Sequence, residues 1–362
     1  MKKKLAIVLS LAMVMTMALT ACGGGNGGNG GASSNKGGSS SAQQPPAGGS
    51  STSQPQGGGD SGVQPKDGGT NLTFTTGGEA GTYYGFGSVI AGKVGDLTST
   101  TVTAISSGGS AANIQALEDG DAQLGFVQSD VMVYAYNGER TFAETGASTG
   151  FSTVANLYME QVQIVTVDPS IKTVDDLKGK KVSVGAAGSG VFFNAVDVLN
   201  AYGLDVEKDI TPTYQNFNDS AEALKDAQID AAFVVAGAPT TAVTDLASGR
   251  EISLVALDDE HITALIESCP YYSKNVISKD VYNLAEDTTT VAVGAVVIAR
   301  DDVSDADVYN FLYGTFEDIA NLSHGKAAEL DLDFAASVTS IGYHPGAVAY
   351  FADKGITVPA KG

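Results

Sequence analysis

Short apolar segments alternate with amphipathic ones along most of the chain after residue 70. Apolar, β-rich segments predict strands at 72–76, 100–104, 124–127, 181–185 and 229–235. Helical periodicity follows several of them, at 83–94, 111–118, 191–202 and after residue 240. A nine-residue apolar run, 291–299, suits another buried strand and is too short to cross a membrane. Strands that alternate with helices indicate an α/β fold with a largely parallel sheet.

One stretch of this pattern occurs twice. The residues Ala-Leu-Glu-Asp at 116–119 and Phe-Val at 126–127 return as Ala-Leu-Lys-Asp at 223–226 and Phe-Val at 233–234, 107 positions later in both places. Two similar α/β lobes in tandem would produce such a repeat. Chance would also produce it, because these residue pairs are common in proteins.

The first 22 residues have the build of a bacterial secretion signal. Three lysines at 2–4 precede an apolar run of about a dozen residues, shorter than the roughly 20 that a membrane span needs. The run ends in Leu19-Thr20-Ala21-Cys22, which looks like a lipobox, the motif whose cysteine is acylated. We therefore expect a lipoprotein signal peptide at 1–21 and a lipid on Cys22. Ordinary cleavage after Ala21 is the alternative.

A segment rich in Gly, Ser, Asn, Gln and Pro follows, from residue 22 to 70. Such a composition buries too little apolar surface to offset the entropy of ordering, so we expect a disordered tether. A flexible chain of this length reaches roughly 35–40 Å. The protein should therefore be extracytoplasmic and lipid-anchored to the outer face of the cell membrane.

Charge and cysteine content narrow the function. The chain carries −21 at pH 7, or −24 without the three signal lysines, and no basic cluster follows the signal, so we expect no nucleic-acid partner. Cys269 has no second cysteine to pair with once Cys22 carries a lipid. His261, His324 and His344 are scattered, and no Cys/His cluster has the spacing of metal ligands. We therefore expect neither a metal nor an enzyme active site.

Four strand-to-helix turns share one construction: each follows an apolar strand, is rich in Gly, Ser, Thr or Ala, and opens a helix. They span 76–82, 106–110, 185–190 and 236–240, and 128–130 forms a fifth turn without glycine. Thr82 should cap the first of these helices. In open α/β sheets ligands lie beyond the carboxyl ends of the strands, where helix N-termini offer unpaired N–H groups. The turns therefore predict a cleft for a carboxylate or other small anion. The alternative is that they merely make short connections.

The same turns resemble the sequence blocks of the TAXI family, the extracytoplasmic solute receptors of TRAP transporters. The matching blocks are 76–84 (TGGEAGTYY), 107–110 (SGGS) with Asn113, 128–130 (QSD), 184–190 (VGAAGSG) with Asn194, 237–240 (GAPT) and 344–347 (HPGA). They occur in the order of the family and extend over residues 72–355.

The resemblance implies an α/β fold of the type II periplasmic-binding-protein class, with two α/β lobes around a ligand cleft, and no cofactor. The first lobe would contain residues 71–165, the second 166–288, and residues 289–362 would cross back to the first. The resemblance also implies a TRAP-type membrane permease as partner, and a ligand such as glutamate, glutamine or a related small carboxylate. His344 and Pro345 would then be structural, holding the C-terminal segment to the first lobe.

The turns and the resemblance together name candidate ligand-binding residues in both lobes. They are Gly78, Glu79, Thr82, Tyr83, Tyr84, Ser107, Gly109, Ser110, Asn113, Gln128, Ser129, Ser189, Gly190, Val191, Asn194, Gly237, Pro239 and Thr240. Adjacent helical residues point about 100° apart, so at most one of Tyr83 and Tyr84 should face the cleft squarely. Family members often carry Thr where this chain has Glu79. That carboxylate is predicted either to bind a ligand ammonium group or only to face the helix dipole.

The leading interpretation is a binding receptor that captures a small carboxylate or amino acid and hands it to a TRAP-type permease. One alternative is a sensor module that docks a membrane kinase. Another is a secreted enzyme on a similar fold, against which stands the lack of a paired acid/base constellation in the sequence.

Overall fold

The structure, a computed structural model, describes residues 63–362. The predicted signal peptide, Cys22 and the tether up to residue 62 lie outside the described residues. Among the described helices, none is both long enough and apolar enough to span a membrane.

The first lobe begins with three strand–helix units. They are β1 (Asn71–Thr75), α1 (Thr82–Leu97), β2 (Thr101–Ile105), α2 (Ser110–Glu118), β3 (Leu124–Gln128) and α3 (Ser129–Asn137). Strand β1 pairs in parallel with both β2 and β3. The long strand β4 (Phe151–Thr166) then leaves this lobe. The predicted alternation of strands and helices with parallel pairing is confirmed here.

The second lobe repeats this arrangement. Its elements are β5 (Lys181–Ser183), α4 (Val191–Ala201), β6 (Thr211–Thr213), α5 (Phe217–Lys225), β7 (Ala231–Ala236), α6 (Thr241–Gly249), β8 (Ser253–Leu254), α7 (Asp259–Ser268) and β9 (Ser273–Ile277). Strand β5 pairs in parallel with β6 and β7, as β1 does with β2 and β3. The two copies of the sequence repeat fall on equivalent elements, α2 and β3 in one lobe and α5 and β7 in the other. The repeat therefore reflects the tandem lobes.

Strand β10 (Thr288–Arg300) returns to the first lobe, which α8 (Asp305–Phe316), α9 (Leu332–Ala335) and α10 (Pro345–Asp353) complete. The His344 ring accepts a hydrogen bond from the N–H of Gly346 at the start of α10. The His344 N–H donates to the Thr153 carbonyl in β4. These bonds fix the C-terminal segment to the first lobe, as the family resemblance implied for His344.

The strands within residues 63–362 form one ten-stranded sheet with the order β2-β1-β3-β10-β4-β7-β5-β6, while β8 pairs with β4 and β9 with β10. Residues 151–161 of β4 pair with β10, and residues 161–166 pair with β7. Residues 288–292 of β10 pair with β9, and residues 295–299 pair with β3. Both long strands are thus shared by the two lobes. The predicted boundaries at 165/166 and 288/289 fall at the second-lobe ends of these strands.

Within each lobe the first strand lies between the second and the third. A long strand that crosses between the lobes pairs with the third strand, β10 with β3 in the first lobe and β4 with β7 in the second. This order, with two antiparallel strands linking the lobes, is the type II periplasmic-binding arrangement, so the predicted fold class is confirmed. One apolar core fills the first lobe around Phe74 and Phe126, whose ring centroids are 4.9 Å apart. Two further cores cover the two faces of the second-lobe sheet. Each fully buried large side chain contributes about 1.5–3 kcal/mol.

Residues 63–70 are packed on the first lobe, so the prediction of a tether extending to residue 70 is wrong for its last eight positions. Lys66 N–H donates to Asn310 Oδ1 at 2.7 Å, and its ammonium group lies 4.1 Å from the centre of the Tyr309 ring. Thr70 N–H donates to Asp307 Oδ1 at 2.8 Å. These partners lie about 240 positions away on α8, where composition alone cannot indicate them.

The prediction that Thr82 caps α1 is also wrong. Gly81 occupies the cap position, and Thr82 is the first helical residue. The Thr82 hydroxyl instead donates to the Gly237 carbonyl of the second lobe at 2.8 Å. Gly81, not Thr82, has the extended backbone of a cap residue, so the Thr82 hydroxyl is placed to bond the other lobe.

Candidate functional site

A cleft of about 250 Å³ lies between the lobes, beyond the carboxyl ends of β1, β3 and β7. Its lining consists of Gly77, Gly78, Gly81, Thr82, Tyr83, Ser107, Gly108, Gly109, Ser110, Gln128 and Glu160, and from the second lobe Ala186, Ser189, Gly190, Val191, Asn216, Phe217, Val235 and Ala236. A larger open groove of about 580 Å³ runs along 247–254 and 282–286, entirely within the second lobe. The cleft is the better candidate, because ligands of open α/β sheets bind beyond the strand ends.

Helices α1, α2 and α4 begin at the wall of this cleft. The N–H groups of Thr82 and Tyr83 in α1, Ser110 in α2 and Val191 in α4 precede the intrahelical ladder, and none has an acceptor within residues 63–362. All four residues line the cleft, and no lysine or arginine is among the lining residues. Each helix start carries about half a positive charge. The cleft therefore presents donors and positive potential from both lobes without a cationic side chain.

Glycines let the two walls approach each other. A Cβ atom at Gly190 would lie 1.6 Å from Gln128 Oε1, across the cleft. Gly109 has φ 103°, a conformation that side chains other than hydrogen disfavour, and faces the backbone of Ser189 at 3.4 Å from the position of a Cβ. The turns of the two lobes are thus in contact, which requires glycine at these positions.

Backbone hydrogen bonds join the lobes around the cleft. Ala112 N–H in α2 donates to the Gly188 carbonyl at 3.1 Å. Ala242 N–H in α6 donates to the Ala80 carbonyl at 3.2 Å. Together with the bond from Thr82, these contacts show that the structure has the closed arrangement of the lobes.

A buried polar network also crosses the interface beside the cleft. Gln128 Nε2 donates to Asn194 Oδ1 at 3.0 Å, and Asn194 Nδ2 donates to Asp130 Oδ2 at 3.1 Å. Burial raises the pKa of Asp130 to about 7, although hydrogen bonds from the α3 backbone oppose this. Arg140 in the 3-10 helix Arg140–Ala143 pairs with Asp197 of α4 at 2.8 Å. When the lobes are closed, buried polar groups of each lobe therefore find their hydrogen-bond and ion-pair partners in the other lobe.

The sequence model of the NMT1-like family matches residues 74–355. The chain belongs to the NMT1-like family. The match covers both lobes and every strand-to-helix turn that lines the cleft.

Several solved structures resemble this NMT1-like chain. The periplasmic aliphatic sulphonate binding protein SsuA from Escherichia coli is 18% identical over 77% of this chain and 88% of that one, with a TM-score of 0.41. The alkanesulfonate-binding protein SsuA from Xanthomonas axonopodis pv. citri is 16% identical over 81% and 85%, with a TM-score of 0.43. An arginine-specific periplasmic binding protein from Salmonella typhimurium is 13% identical over 72% and 96%, with a TM-score of 0.42. Because these TM-scores are low, the family assignment rests on the match to the family model, and the fold class rests on the strand order.

Glu160 is a cleft residue of the NMT1-like chain that the sequence analysis missed. Its side chain is 2% exposed, and Oε2 accepts a hydrogen bond of 2.6 Å from the Tyr83 hydroxyl. Burial raises the pKa of Glu160 well above its usual range, and the bond from Tyr83 and the charge of Lys326 only partly counter this. Glu160 is the one charged residue of β4, and this lone charge in a buried strand is the signal that could have identified it.

Part of the predicted site of this NMT1-like chain lines the cleft. The predicted residues found in the lining are Gly78, Thr82, Tyr83, Ser107, Gly109, Ser110, Gln128, Ser189, Gly190 and Val191. Tyr83 is buried against the cleft, whereas Tyr84 lies outside the lining and is half-buried. The neighbouring tyrosines therefore diverge, as their helical spacing predicted.

The two predicted asparagines of the NMT1-like chain lie behind the cleft wall. Asn113 Nδ2 donates to the carbonyls of Thr76 and Phe126 at 2.6 and 2.7 Å, so it joins two strand ends. The Asn194 side chain accepts a hydrogen bond from Gln128 in the network described above. Both amides therefore brace lining turns instead of facing the cleft.

The remaining predicted residues of the NMT1-like chain also lie away from the cleft. Ser129 Oγ accepts from Gly294 N–H in β10, and Thr240 Oγ1 accepts from Gln163 Nε2. Gly237 offers its carbonyl to Thr82, and Pro239 is exposed. Their hydrogen-bonding groups thus serve contacts within the protein.

Glu79 is exposed in a separate outer groove of the NMT1-like chain, next to Asn216 and Phe217. It does not line the cleft, because the turn at 77–81 directs its side chain outward. The carboxyl group that the cleft contains is that of Glu160.

Proposed function

We propose that this NMT1-like protein is an extracytoplasmic solute-binding receptor that captures a small carboxylate or amino acid between its lobes and delivers it to a membrane permease. The observation that carries the proposal is the cleft itself, where helix N-termini from both lobes converge without a cationic side chain. Such starts hold a carboxylate through backbone N–H groups. The arrangement supports binding, and no paired acid and base faces the cleft to support turnover.

Lobe closure supports the same function. Two strands, β4 and β10, link the lobes, and three hydrogen bonds join the walls on either side of the cleft. A ligand that contacts both walls stabilises the closed form over the open one. A permease that recognises the closed form would then bind the receptor only when the receptor holds its solute.

The sequence blocks support a particular type of permease. Their resemblance to the TAXI family supports a TRAP-type transporter as partner and a glutamate- or glutamine-like ligand. A lipid on Cys22 with a tether behind it would keep the receptor at the outer face of the membrane, within reach of that permease.

The test is a thermal-shift screen of the purified protein with amino acids and dicarboxylates, followed by small-angle scattering. A ligand at 100 times its dissociation constant adds about 2.7 kcal/mol to the free energy of unfolding. We expect one class of compound to raise Tm and to make the particle more compact. A compound that binds tightly without compaction, or turnover of the bound compound, would contradict a receptor that closes on its solute.

A further inference from the structure

Two side-chain oxygens at the cleft have no hydrogen-bond partner within residues 63–362. Gln128 Oε1 is buried and unpartnered, because the amide nitrogen of the same side chain is the atom that bonds Asn194. Glu160 accepts the Tyr83 hydroxyl through Oε2, which leaves Oε1 free at the cleft. A buried polar oxygen without a partner is costly, as at Gln128 Oε1, so a ligand that fills the cleft should offer hydrogen-bond partners to these two oxygens.

These acceptors lie beside the predicted anion site. The Tyr83 hydroxyl donates to Glu160, and both Tyr83 and Ser110, the first residue of α2, line the cleft. Tyr83 belongs to the first turn of α1, so its side chain connects the Glu160 carboxyl group to a helix start. A molecule that reaches both needs an anionic group and a donor group only a short distance apart.

The groups around Glu160 leave its charge without a partner. Tyr83 faces it from α1, Tyr158 from its own strand and Asp130 from α3, and Asp130 disfavours a second negative charge nearby. Lys326 of the 3-10 helix Gly325–Glu329 acts on Glu160 through its charge, but its ammonium group is already paired with Glu329 at 2.5 Å. Burial holds the pKa of the Glu160 carboxyl group well above its usual range, which favours its protonated form until a cation pairs with it.

We propose that Glu160 recognises a protonated amine of the ligand and releases its own proton to solvent when that amine binds. The inference rests on the proposed solute-binding function and names the chemistry of the solute: a compound with a carboxylate and an ammonium group close together, such as an α-amino acid. The carboxylate would face the starts of α1 and α2, and the ammonium group would face Glu160 Oε1 and Gln128 Oε1. The ammonium group keeps its protons, so the proton lost from Glu160 is the net release.

Calorimetry measures both parts of this proposal. The wild-type protein is titrated near neutral pH, in buffers that differ in ionisation enthalpy, with the standard amino acids and with succinate, glutarate and 2-oxoglutarate, which lack an amine. We expect an amino acid to bind most tightly and to release about one proton per site. The proton count needs no variant, so it tests the proposal even if substitutions impair folding.

Two matched substitutions separate the charge of Glu160 from its shape. Glu160→Gln keeps the size and removes the ionisable proton, so it should lower amino-acid affinity roughly ten- to hundredfold and abolish proton release. Glu222→Gln makes the same change at an exposed position of α5 and should alter neither quantity. Glu79→Gln tests the earlier hypothesis that Glu79 binds the amine, and it should also leave both unchanged.

Three results would overturn the inference while leaving the receptor function in place. One is an amine-free dicarboxylate that binds as tightly as any amino acid, since a neutral Glu160 would then serve as a donor to a carboxylate. Another is unchanged affinity and proton release in Glu160→Gln. The third is a loss of affinity in Glu79→Gln alone. If no compound of either set binds, the proposed solute class fails as well.

Discussion

Closure of the lobes depends on the absence of a side chain at Gly190, which makes Gly190→Ala a direct test of the closed arrangement. An alanine Cβ would lie 1.6 Å from Gln128 Oε1 and 3.0 Å from Val131 Cγ2 of the opposite lobe. The glycine has φ −72°, so alanine adopts this backbone conformation without strain. The conflict therefore arises only when the lobes meet.

The magnitude follows from the bond that Gln128 must give up. Moving its side chain breaks the 3.0 Å hydrogen bond to Asn194 Oδ1, and a buried oxygen is left without that donor. Such a group costs about 1–3 kcal/mol. Because the open form does not bear this cost, ligand affinity should fall roughly 5- to 150-fold, since 1.4 kcal/mol corresponds to tenfold.

The assay is calorimetry with the tightest compound from the thermal-shift screen. Gly92→Ala is the control, because Gly92 is exposed in α1 with open space around its Cβ position; it should keep the affinity and add about 0.5–1 kcal/mol of stability. In a Gln128→Ala background the substitution at Gly190 should cost much less, because the atoms nearest the new Cβ are gone and only Val131 Cγ2, at 3.0 Å, remains close. Wild-type affinity in Gly190→Ala, or an equal loss in both backgrounds, would refute the reasoning.

Two further predictions concern stability. Because burial raises the pKa of Asp130 from 3.8 to about 7, the folded protein holds a proton that the unfolded chain releases, and the free energy of unfolding should fall between pH 4 and 7 by up to about 4 kcal/mol. Asp130→Asn should flatten this decline in urea titrations at pH 5 and 8, and an unchanged slope would contradict the assignment. Asn113→Ala should lower the free energy of unfolding by about 2–4 kcal/mol, because two buried strand-end carbonyls lose their donor. Asn200→Ala, at an exposed position of α4, is the control, and equal urea midpoints for the two variants would refute the bracing role.

The periodicity of the sequence was sufficient to predict an α/β fold with parallel strands, because each strand-to-helix unit has a local apolar pattern. The type II arrangement was implied by the family resemblance. The repeat at 116–127 and 223–234 indicated the tandem lobes for the same reason. Glycines at turn positions such as Gly109 and Gly190 were identified because close backbone approach needs residues without a Cβ atom. These features are determined by residues close together in the chain, so one sequence is enough to predict them.

The features that sequence reasoning missed depend on distant partners. Glu160 lies in the middle of a strand, far from any glycine turn, and becomes a cleft residue only because β4 passes between the lobes. Glu79 was named as a candidate because it lies inside a glycine turn, but its side chain lines the outer groove and not the cleft. The segment 63–70 resembles the tether in composition, and only its bonds to Asp307 and Asn310 distinguish it.

The two strands that link the lobes, β4 and β10, are hydrogen-bonded neighbours, and their register shifts between Ala295 and Val296 and between Val297 and Ile298. A two-stranded ribbon resists sliding and shear in its own plane because its hydrogen bonds lie there, but it twists and bends out of that plane, most readily at such irregularities. The motion available to the lobes is therefore close to a swing about one axis. One distance between a pair of probes, one on each wall, would then report the whole movement. The bound molecule would only have to stabilise the closed position, because the two strands already set the direction of the movement.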